Sequence, residues 1–257
     1  MPEGDTIHHA ANRIRPILAG RVPELRTPHP RLKAERWPDR LAGREVTGVD
    51  AHGKHLFVHF EGELLIHSHL RMTGAWHTYD AGARWRRAPR RAWLVLAGEG
   101  REVVQFDGPV LELMTHSRRR FDQRIAGLGP DICAESFDED RFLRRLREED
   151  PTRPIGDVLM QQQVVAGIGN FWKAEGCFAA AVDPWRPAGR VGDEEALEIV
   201  RLLRPRMRRS ALDGNPGRDR AVYRRDGTPC PRCSTTIAQR GQWEDNRATY
   251  WCPGCQR

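Results

Sequence analysis

Four cysteines near the end of the chain have the spacing of a metal site. Two Cys-x-x-Cys pairs flank an eighteen-residue insert, and they comprise Cys230, Cys233, Cys252 and Cys255. Each pair can offer two thiolates from a tight turn, and four thiolates form the tetrahedral cage that structural zinc prefers. The insert, residues 234–251, contains Arg240, Arg247 and several residues suited to strands, which predicts a zinc-pinned β-hairpin. The alternative is two chance Cys-x-x-Cys pairs in a reduced protein.

The amino terminus offers a different chemistry. The chain begins Met1-Pro2-Glu3, and initiator methionine is normally removed before a small residue such as proline. An α-amino group has a pKa of about 7.7–8.0, so part of the freed secondary amine is neutral and nucleophilic at neutral pH. Its adduct with a sugar C1′ carbonyl is a cationic iminium, which acidifies the C2′ proton and permits β-elimination. Glu3 could handle the protons, although Met-Pro-Glu is also a common start without catalytic meaning.

Lysine is rare in this chain. Of 42 basic residues only three are lysine (Lys33, Lys54 and Lys173), which leaves 39 arginines. Where arginine replaces lysine nearly everywhere, a remaining lysine is a candidate for a compact amine that can lose its proton. Lys54 lies at a turn that enters a predicted strand, and it is either such a residue or an ordinary exposed lysine.

Histidines near Lys54 invite a second metal hypothesis. Four of them lie at even spacings in predicted strands: His55, His59, His67 and His69. Even spacing places side chains on one face of a sheet, so strand structure explains the pattern and no second metal site is predicted.

The charge of the chain suits a polyanionic partner. The formal net charge is +7 and the isoelectric point is about 9.5. One arginine cluster has no acidic residue between Ala81 and Ala97, and it comprises Arg84, Arg86, Arg87, Arg90 and Arg91. This cluster is either a solvated loop or a nucleic-acid patch. Cys133 and Cys177 are predicted to be buried thiols; with no signal peptide and no membrane-length apolar run, a reducing cytoplasm is expected.

The first half of the chain is predicted to be one helix followed by short strands. Residues 5–18 have one apolar face, with Asp5 as N-cap and Gly20 as the stop. The predicted strands are Val46–Val49, His55–Phe60, Leu64–His67, Trp93–Leu96 and Val103–Phe106. Their spacing and the breaks between them indicate an antiparallel sandwich or barrel.

The second half is predicted to be helical. The segment 127–131 interrupts the chain as a linker would, and apolar residues then recur at helical spacing, including 196–207, where Pro205 bends or ends the helix. Residues 167–170 form a predicted turn between two helices, with Asn170 as a cap. The predicted fold class is α+β. The predicted domains are residues 1–126 (helix plus β-sandwich), 132–215 (helical) and 216–257 (four-cysteine module).

Together these features resemble the formamidopyrimidine-DNA glycosylase and endonuclease VIII family of bifunctional DNA glycosylases. The matching motifs run in the family's order along the whole chain: Met-Pro-Glu-Gly at 1–4, Gly-Lys at 53–54, Leu-Gly-Pro-Asp at 128–131, Gln-Val-Val-Ala-Gly-Ile-Gly-Asn at 163–170 with Glu175, Tyr-Arg-Arg-Asp-Gly at 223–227, and Tyr-Trp-Cys-Pro-Gly-Cys-Gln at 250–256. Residues 105–110, Gln-Phe-Asp-Gly-Pro-Val, stand where the purine-preferring branch has Asp-Pro-Arg-Arg-Phe-Gly. This difference and the Pro-Glu-Gly start favour the endonuclease VIII branch, in an actinobacterial-like form.

The resemblance implies an activity: excision of oxidised bases, mainly pyrimidines, followed by β,δ-elimination. It implies that Pro2 is the Schiff-base nucleophile and Glu3 the proton donor of the glycosylase step. Lys54 corresponds to a lysine that contacts phosphate and assists β-elimination, and Arg247 to a zinc-hairpin arginine linked to δ-elimination. Asn170, in a helix–two-turn–helix element, corresponds to a phosphate-contacting asparagine.

The resemblance also implies DNA contacts and partners. Damaged bases leave the stack before excision, and Arg71 and Met72 are the candidates to fill the vacancy. Arg124 is matched to an arginine near the domain linker. One structural zinc ion, damaged DNA as partner, no membrane, a monomeric state and a bacterial cytoplasmic, nucleoid-associated location are implied as well.

The sequence departs from the family pattern in three places. Thr6 replaces a second glutamate, the zinc insert is slightly longer than is common, and Arg71 replaces a glutamine. The alternative function is a non-catalytic DNA-damage binding protein on the same scaffold. Pro2, Glu3 and Lys54 discriminate between the two, because every DNA-binding residue would serve both.

Overall fold

Apolar side chains three and four residues apart build the first helix. Helix α1 spans Gly4–Leu18, and Ile7, Ile14 and Leu18 are each 1% exposed on its inner face. The predicted N-cap is wrong, because the helix already begins at Gly4. The Asp5 carboxylate instead accepts a hydrogen bond from Ser210 Oγ (2.6 Å), so a distant side chain claims the group that local capping would use.

The computed structural model describes residues 2–242, 244 and 246–257. They divide into two units, one of Pro2 and Thr6–Ala126, the other of Glu3–Asp5 and Gly127–Arg257. After α1, the first unit contains β1 (Glu24–Arg26), α2 (Pro30–Ala34), α3 (Trp37–Leu41), β2 (Val46–His52), β3 (His55–Phe60), β4 (Leu64–His69), β5 (Ala75–Asp80), β6 (Ala92–Gly98), β7 (Arg101–Phe106), β8 (Val110–Thr115), α4 (His116–Phe121) and α5 (Gln123–Ala126).

Two four-stranded antiparallel sheets form the first unit. Their strand orders are β1-β6-β7-β5 and β2-β3-β4-β8. Val58 and Ile66 of one sheet and Leu94 and Leu96 of the other belong to one buried cluster, so the two inner faces share a core. The predicted antiparallel sandwich with a leading helix is therefore confirmed.

Three strands of the first unit were missed by the sequence prediction. Strand β1 has three residues, β5 (Ala-Trp-His-Thr-Tyr-Asp) lacks a regular alternation of apolar and polar residues, and β8 follows a Gly-Pro pair. Each local signal is weak, and pairing with neighbours decides the conformation: β1 pairs with β6, β5 with β7, and β8 with β4.

The second unit is mostly helical. It contains α6 (Glu139–Glu148), α7 (Ile155–Val158), α8 (Asn170–Ala179), α9 (Asp193–Asp213), β9 (Ala238–Gln242) and β10 (Arg247–Trp251). Turns at 159–160 and 162–164 separate α7 from α8, which is the predicted helix–two-turn–helix element. Strands β9 and β10 pair antiparallel, which confirms the predicted hairpin.

Of the two effects predicted for Pro205, bending or ending the helix, the structure excludes the second. The helix continues through Pro205 to Asp213, and Leu203 and Met207 on either side are fully buried. Proline removes one backbone donor and costs roughly 3 kcal/mol inside a helix. Burial of the apolar face outweighs that cost here.

The segment 127–131 is not a loose linker. Residues 128–131 are buried, and Gly129 N donates to Gln162 O (2.9 Å). A Cβ on Gly129 would lie 2.5 Å from Val164 O, so only glycine fits this close approach. The three-domain division remains a prediction.

No helix in the described part of the chain is both long enough and apolar enough to cross a bilayer.

Candidate active site and nucleic-acid interface

The four predicted metal ligands lie together. Their four sulfur atoms are all within 4.8 Å of one another, and the Cys230–Cys255 and Cys233–Cys252 sulfur distances are 3.7 and 3.5 Å. Tetrahedral zinc with Zn–S bonds of about 2.3 Å requires sulfur separations of roughly 3.8 Å. The donor set and its spacing therefore fit a metal ion. The other two cysteines are buried as predicted, and burial raises the pKa of Cys177 to about 12.

Pro2 lies at a cavity of the first unit. It is half-buried and lines a space of about 270 Å³ together with Thr6, His9, Arg13 and His77. Burial, with Arg87 and Arg86 nearby, lowers the pKa of His77 below its usual 6.5. The imidazole that lines the cavity is therefore neutral at pH 7 and can donate one hydrogen bond and accept another.

Glu3 caps a helix of the second unit. Its carboxylate accepts hydrogen bonds from the backbone N–H groups of Gly169 (2.9 Å), Phe171 (2.8 Å) and Trp172 (3.2 Å), and the residue is only 4% exposed. These donors stand at the start of α8, where the helix dipole also favours negative charge. The arrangement stabilises the ionised carboxylate.

Glycine is required at two positions where the amino-terminal segment contacts residues 167–169. A Cβ on Gly169 would lie 2.3 Å from Glu3 Cδ, and one on Gly4 would lie 2.7 Å from Gly167 Cα. Gly4 N also donates to Gly167 O (2.8 Å). The Gly-Ile-Gly motif at 167–169 therefore exists to admit the amino-terminal segment, a close approach that sequence reasoning took for a turn alone.

Asn170 is not a helix cap, contrary to the prediction. It is the first residue of α8, the N-cap position is Gly169, and the Asn170 side chain makes no capping hydrogen bond. Its Nδ2 donates to Ala248 O (2.8 Å) on β10, next to Arg247, while its buried Oδ1 has no hydrogen-bond donor among the described residues. The structure thus brings Asn170 and the Arg247 strand together.

Lys173 is a buried lysine that sequence reasoning did not single out. It is 1% exposed, and its Nζ donates to Thr249 Oγ1 (2.6 Å) and Gln242 Oε1 (3.2 Å) of the hairpin. Burial lowers the pKa of Lys173 from 10.5 to about 8. Its rarity among 39 arginines was the available signal.

The free energy of unfolding should depend on pH because of this buried ammonium group. Below pH 8 Lys173 is protonated in both states, so the folded protein bears the full desolvation cost; between pH 8 and 10.5 only the folded state loses the proton, which stabilises it. Relative to Lys173→Met, the wild type should gain about 3 kcal/mol of unfolding free energy between pH 7.5 and 10.5. Denaturant titrations of both proteins measure it, and a difference independent of pH would contradict the assignment.

Glu175 anchors the approach to the zinc hairpin. It is completely buried, and its carboxylate accepts from the backbone N–H groups of Ala221, Val222 and Tyr223 at 2.7–3.0 Å. The sequence showed Glu175 only as part of a motif. The structure assigns it a physical task, which is to hold the segment that enters the cysteine module.

The histidines of β3 and β4 occupy one face of the sheet β2-β3-β4-β8, and Lys54 lies in the turn beside them. Lys54 lies in the two-residue turn between His52 and His55, which face each other across β2 and β3. His55 pairs with His69 in register, and His55 Nδ1 lies 2.8 Å from His67 Nε2. Burial and then neighbouring positive charge, including Lys54, lower the pKa of His69 to about 4. Burial lowers the pKa of His55 and His67 as well, so the imidazoles of His55, His67 and His69 are uncharged at pH 7.

The predicted wedge residues lie in a turn after β4. Arg71 has a left-handed backbone (φ 43°) and Met72 is 66% exposed. An exposed methionine at a tight turn is accessible to a partner, as a wedge requires.

Arg124 is held by two carboxylates. Its guanidinium donates to Glu112 (2.9 Å) and Asp122 (2.6 Å), and the hydrogen bond from Arg124 lowers the pKa of Asp122 to about 2. The side chain remains half exposed. Its DNA-binding role remains a prediction.

Comparison with known proteins gives a consistent result. Residues 1–123 match the formamidopyrimidine-DNA glycosylase N-terminal domain, and residues 128–217 match the formamidopyrimidine-DNA glycosylase H2TH domain. A probable endonuclease 8 2 of Streptomyces coelicolor is 39% identical, covering 100% of this chain and 94% of the relative. A DNA-(apurinic or apyrimidinic site) lyase of Mycolicibacterium smegmatis is 36% identical over 100% of this chain and 99% of the relative.

The fold agrees with solved structures. The Lactococcus lactis enzyme in complex with abasic-site DNA superposes with a TM-score of 0.83 at 21% identity, covering 99% of both chains. With both domain matches and relatives similar along their whole length, the resemblance inferred from the motifs is confirmed. The chain belongs to the formamidopyrimidine-DNA glycosylase family, among the members named endonuclease 8.

Proposed function

We propose that the chain is a bifunctional DNA glycosylase and abasic-site lyase of base excision repair that acts mainly on oxidised pyrimidines. The observation that carries this proposal is Pro2, half-buried at a cavity of about 270 Å³ in the first unit. A nucleophile at such a cavity can meet a nucleotide turned out of the duplex. The relatives that match over nearly their whole length, an endonuclease 8 and an abasic-site lyase, support the same reaction class.

The covalent step uses the Pro2 nitrogen. It attacks C1′ of the everted nucleotide, the C1′–base bond breaks, and the base leaves with its electron pair. Opening of the sugar ring then leaves a cationic iminium between Pro2 and C1′. The positive charge acidifies the C2′ proton, and successive eliminations release the 3′ and 5′ phosphates, which nicks the strand on both sides of the sugar.

Glu3 moves the protons of this reaction. Three backbone N–H donors favour its ionised form, and an ionised carboxylate must gain a proton before it can donate one. The source of this proton is the ammonium of Pro2, the preceding residue in the chain. That transfer leaves a neutral amine for attack. The protonated Glu3 then protonates the leaving sugar oxygen. This order reconciles a donor role with a carboxylate that its surroundings keep charged.

Basic and polar residues hold the phosphates. Lys54 binds phosphate and assists β-elimination, and Arg247 on β10 grips a lesion-flanking phosphate and assists δ-elimination. Asn170 contributes an N–H: its Nδ2 uses one hydrogen on Ala248 O and carries a second. Arg71 and Met72 fill the space that the everted base leaves, and Arg124 contacts DNA near the linker.

Zinc is structural in this proposal. Four sulfurs fill a tetrahedral site and leave no position for water, so the ion rigidifies the hairpin that carries Arg247. Changing Cys252 to Ser should remove zinc and weaken DNA binding at least about 10-fold, measured by metal analysis and a binding titration. Cys177→Ser, outside the cluster, is the control. Unchanged zinc content and affinity in Cys252→Ser would disprove the metal assignment.

The protein acts as a monomer in the bacterial cytoplasm, at the nucleoid. The four clustered cysteines support a reducing compartment, since thiolates must stay reduced to bind zinc.

A panel of duplexes, each with one defined lesion, tests the function. Incubation followed by a denaturing gel should show strand scission at oxidised pyrimidines and at abasic sites. The alternative, a non-catalytic damage-binding protein, is favoured by one observation: Glu3 serves as a helix cap, a task independent of catalysis. Binding without base release or scission on every lesion would select that alternative.

A further inference from the structure

Residues 83–91, the arginine segment, connect β5 to β6 and have no role in the reaction proposed above. The segment reads Ala-Arg-Trp-Arg-Arg-Ala-Pro-Arg-Arg, with five arginines and no acid. From the sequence it was either a solvated loop or a nucleic-acid patch. The two alternatives differ in rigidity and in whether the charges are neutralised.

Side chains of the β7 region pin this segment. Asp107 pairs with both Arg87 and Arg91 at 2.6 Å, and Glu102 accepts from Trp85 Nε1 at 2.9 Å. The hydrogen bonds of the arginines hold the pKa of Asp107 below its usual value, although burial opposes this. A segment held at three side chains is a formed surface, and binding to it costs little ordering entropy.

Three arginines remain after this anchoring. Arg84, Arg86 and Arg90 are exposed, and none of them pairs with an acidic residue in the described ranges. Residues 82–89 line an open groove of about 720 Å³ together with Glu102, whose charge is matched by Arg26. The groove therefore presents uncompensated positive charge, which suits the phosphates of a nucleic-acid backbone.

The segment also borders the proposed lesion site within the first unit. Arg87 Nη1 donates to Thr73 O (2.8 Å), at the end of the turn that holds Arg71 and Met72. Arg87 lines the Pro2 cavity as well. A strand entering that cavity thus has its neighbouring phosphates beside the arginine segment.

We propose that Arg84, Arg86 and Arg90 form an additional phosphate-binding surface for the damaged DNA. This inference rests on the proposed function. The arginines bind the backbone beside the wedge turn, and Asp107 sets their position through Arg87 and Arg91.

Salt dependence of DNA binding tests the surface. The triple variant R84A/R86A/R90A and the wild type are titrated with a duplex that contains a non-cleavable abasic analogue, between 50 and 200 mM NaCl. The plot of log K against log salt has a negative slope, and each lost phosphate contact reduces its magnitude by about 0.9. Three lost contacts lower it by about 2.7, so the affinity advantage of the wild type should shrink about 40-fold across this range.

Two matched variants complete the design. R84K/R86K/R90K keeps the charges and should keep the slope, because counterion release depends on charge. R31A/R36A/R40A removes the same net charge from α2, α3 and the two-residue connection between them, where Arg31 and Arg36 already pair with Glu35 and Asp39. This variant should change the slope by less than the value of about 0.9 that one phosphate contact contributes.

The outcomes are decisive. A slope reduction of about 0.9 or more in R84A/R86A/R90A, with no such reduction in R84K/R86K/R90K or R31A/R36A/R40A, supports the surface. An unchanged slope, or an equal reduction in R31A/R36A/R40A, overturns it. If the triple variant does not fold, the three single alanine variants decide by the same criterion. Failure of the wild type on every lesion removes the proposed function, whereas an unchanged slope with intact covalent trapping removes only this inference.

Discussion

Replacing Pro2 by glycine should reduce borohydride trapping of the protein on abasic DNA at least about 100-fold. Glycine offers a primary amine, whose adduct can relax to a neutral imine, whereas the proline adduct stays a cationic iminium, which accepts hydride more readily. Glycine also removes the ring that sets the position of the nitrogen at the cavity. The measurement is the fraction of protein joined to a labelled abasic duplex after borohydride reduction.

Thr6→Ala is the matched control for Pro2, since Thr6 lines the same cavity but has no amine. It should trap DNA as the wild type does. Intact mass must show that the initiator methionine is absent from both variants. Undiminished trapping by Pro2→Gly, or active wild type that retains its methionine, would remove Pro2 from the mechanism.

Changing Glu3 to Gln should slow base release about 100- to 10,000-fold, the range expected for the loss of a general acid–base group. Cleavage at a preformed abasic site should fall much less, because that substrate has no base to expel. The two rates are measured on one duplex that contains an oxidised pyrimidine and on a second that contains an abasic site.

The helix-cap role of Glu3 gives this variant a second readout. Glutamine keeps one acceptor oxygen for the three N–H groups, so unfolding should become easier by roughly 3 kcal/mol. Glu175→Gln is the matched control: it also replaces a buried carboxylate that accepts three amides, but lies outside the proposed reaction. Equal losses of both activities in both variants would reduce Glu3 to a structural cap.

Local patterns made part of this protein predictable. The register of His55 with His69 confirms the shared sheet face inferred from even spacing, because side-chain direction in a strand depends on the strand alone. The same holds for α1, whose buried positions follow from helical period. Pro205 shows the limit of such rules, since the packing of Leu203 and Met207 overrides the local preference to stop.

The site was predictable as residue types but not as an arrangement. Asn170 was expected to cap α8, yet the cap comes from Glu3, whose partner Gly169 lies 166 residues away. The scarcity of lysine marked Lys173 as a candidate, but its two hairpin partners became known only from the structure. Buried charges acquire partners from whichever segment packs against them, and no local pattern encodes that choice.

The sequence by itself determined the four-sulfur cluster and the succession of β-rich and helical segments, and it is the source of the prediction for the Pro2 amine, because each depends on residues that are close along the chain. Only the tertiary structure decided that Glu3 caps α8, that Glu175 holds the entry to the cysteine module, and that Asp107 pairs with two arginines of the segment and leaves three without an acidic partner among the described residues. The physical reason is desolvation: a buried charge must find donors or an opposite charge, and packing alone determines which distant groups supply them.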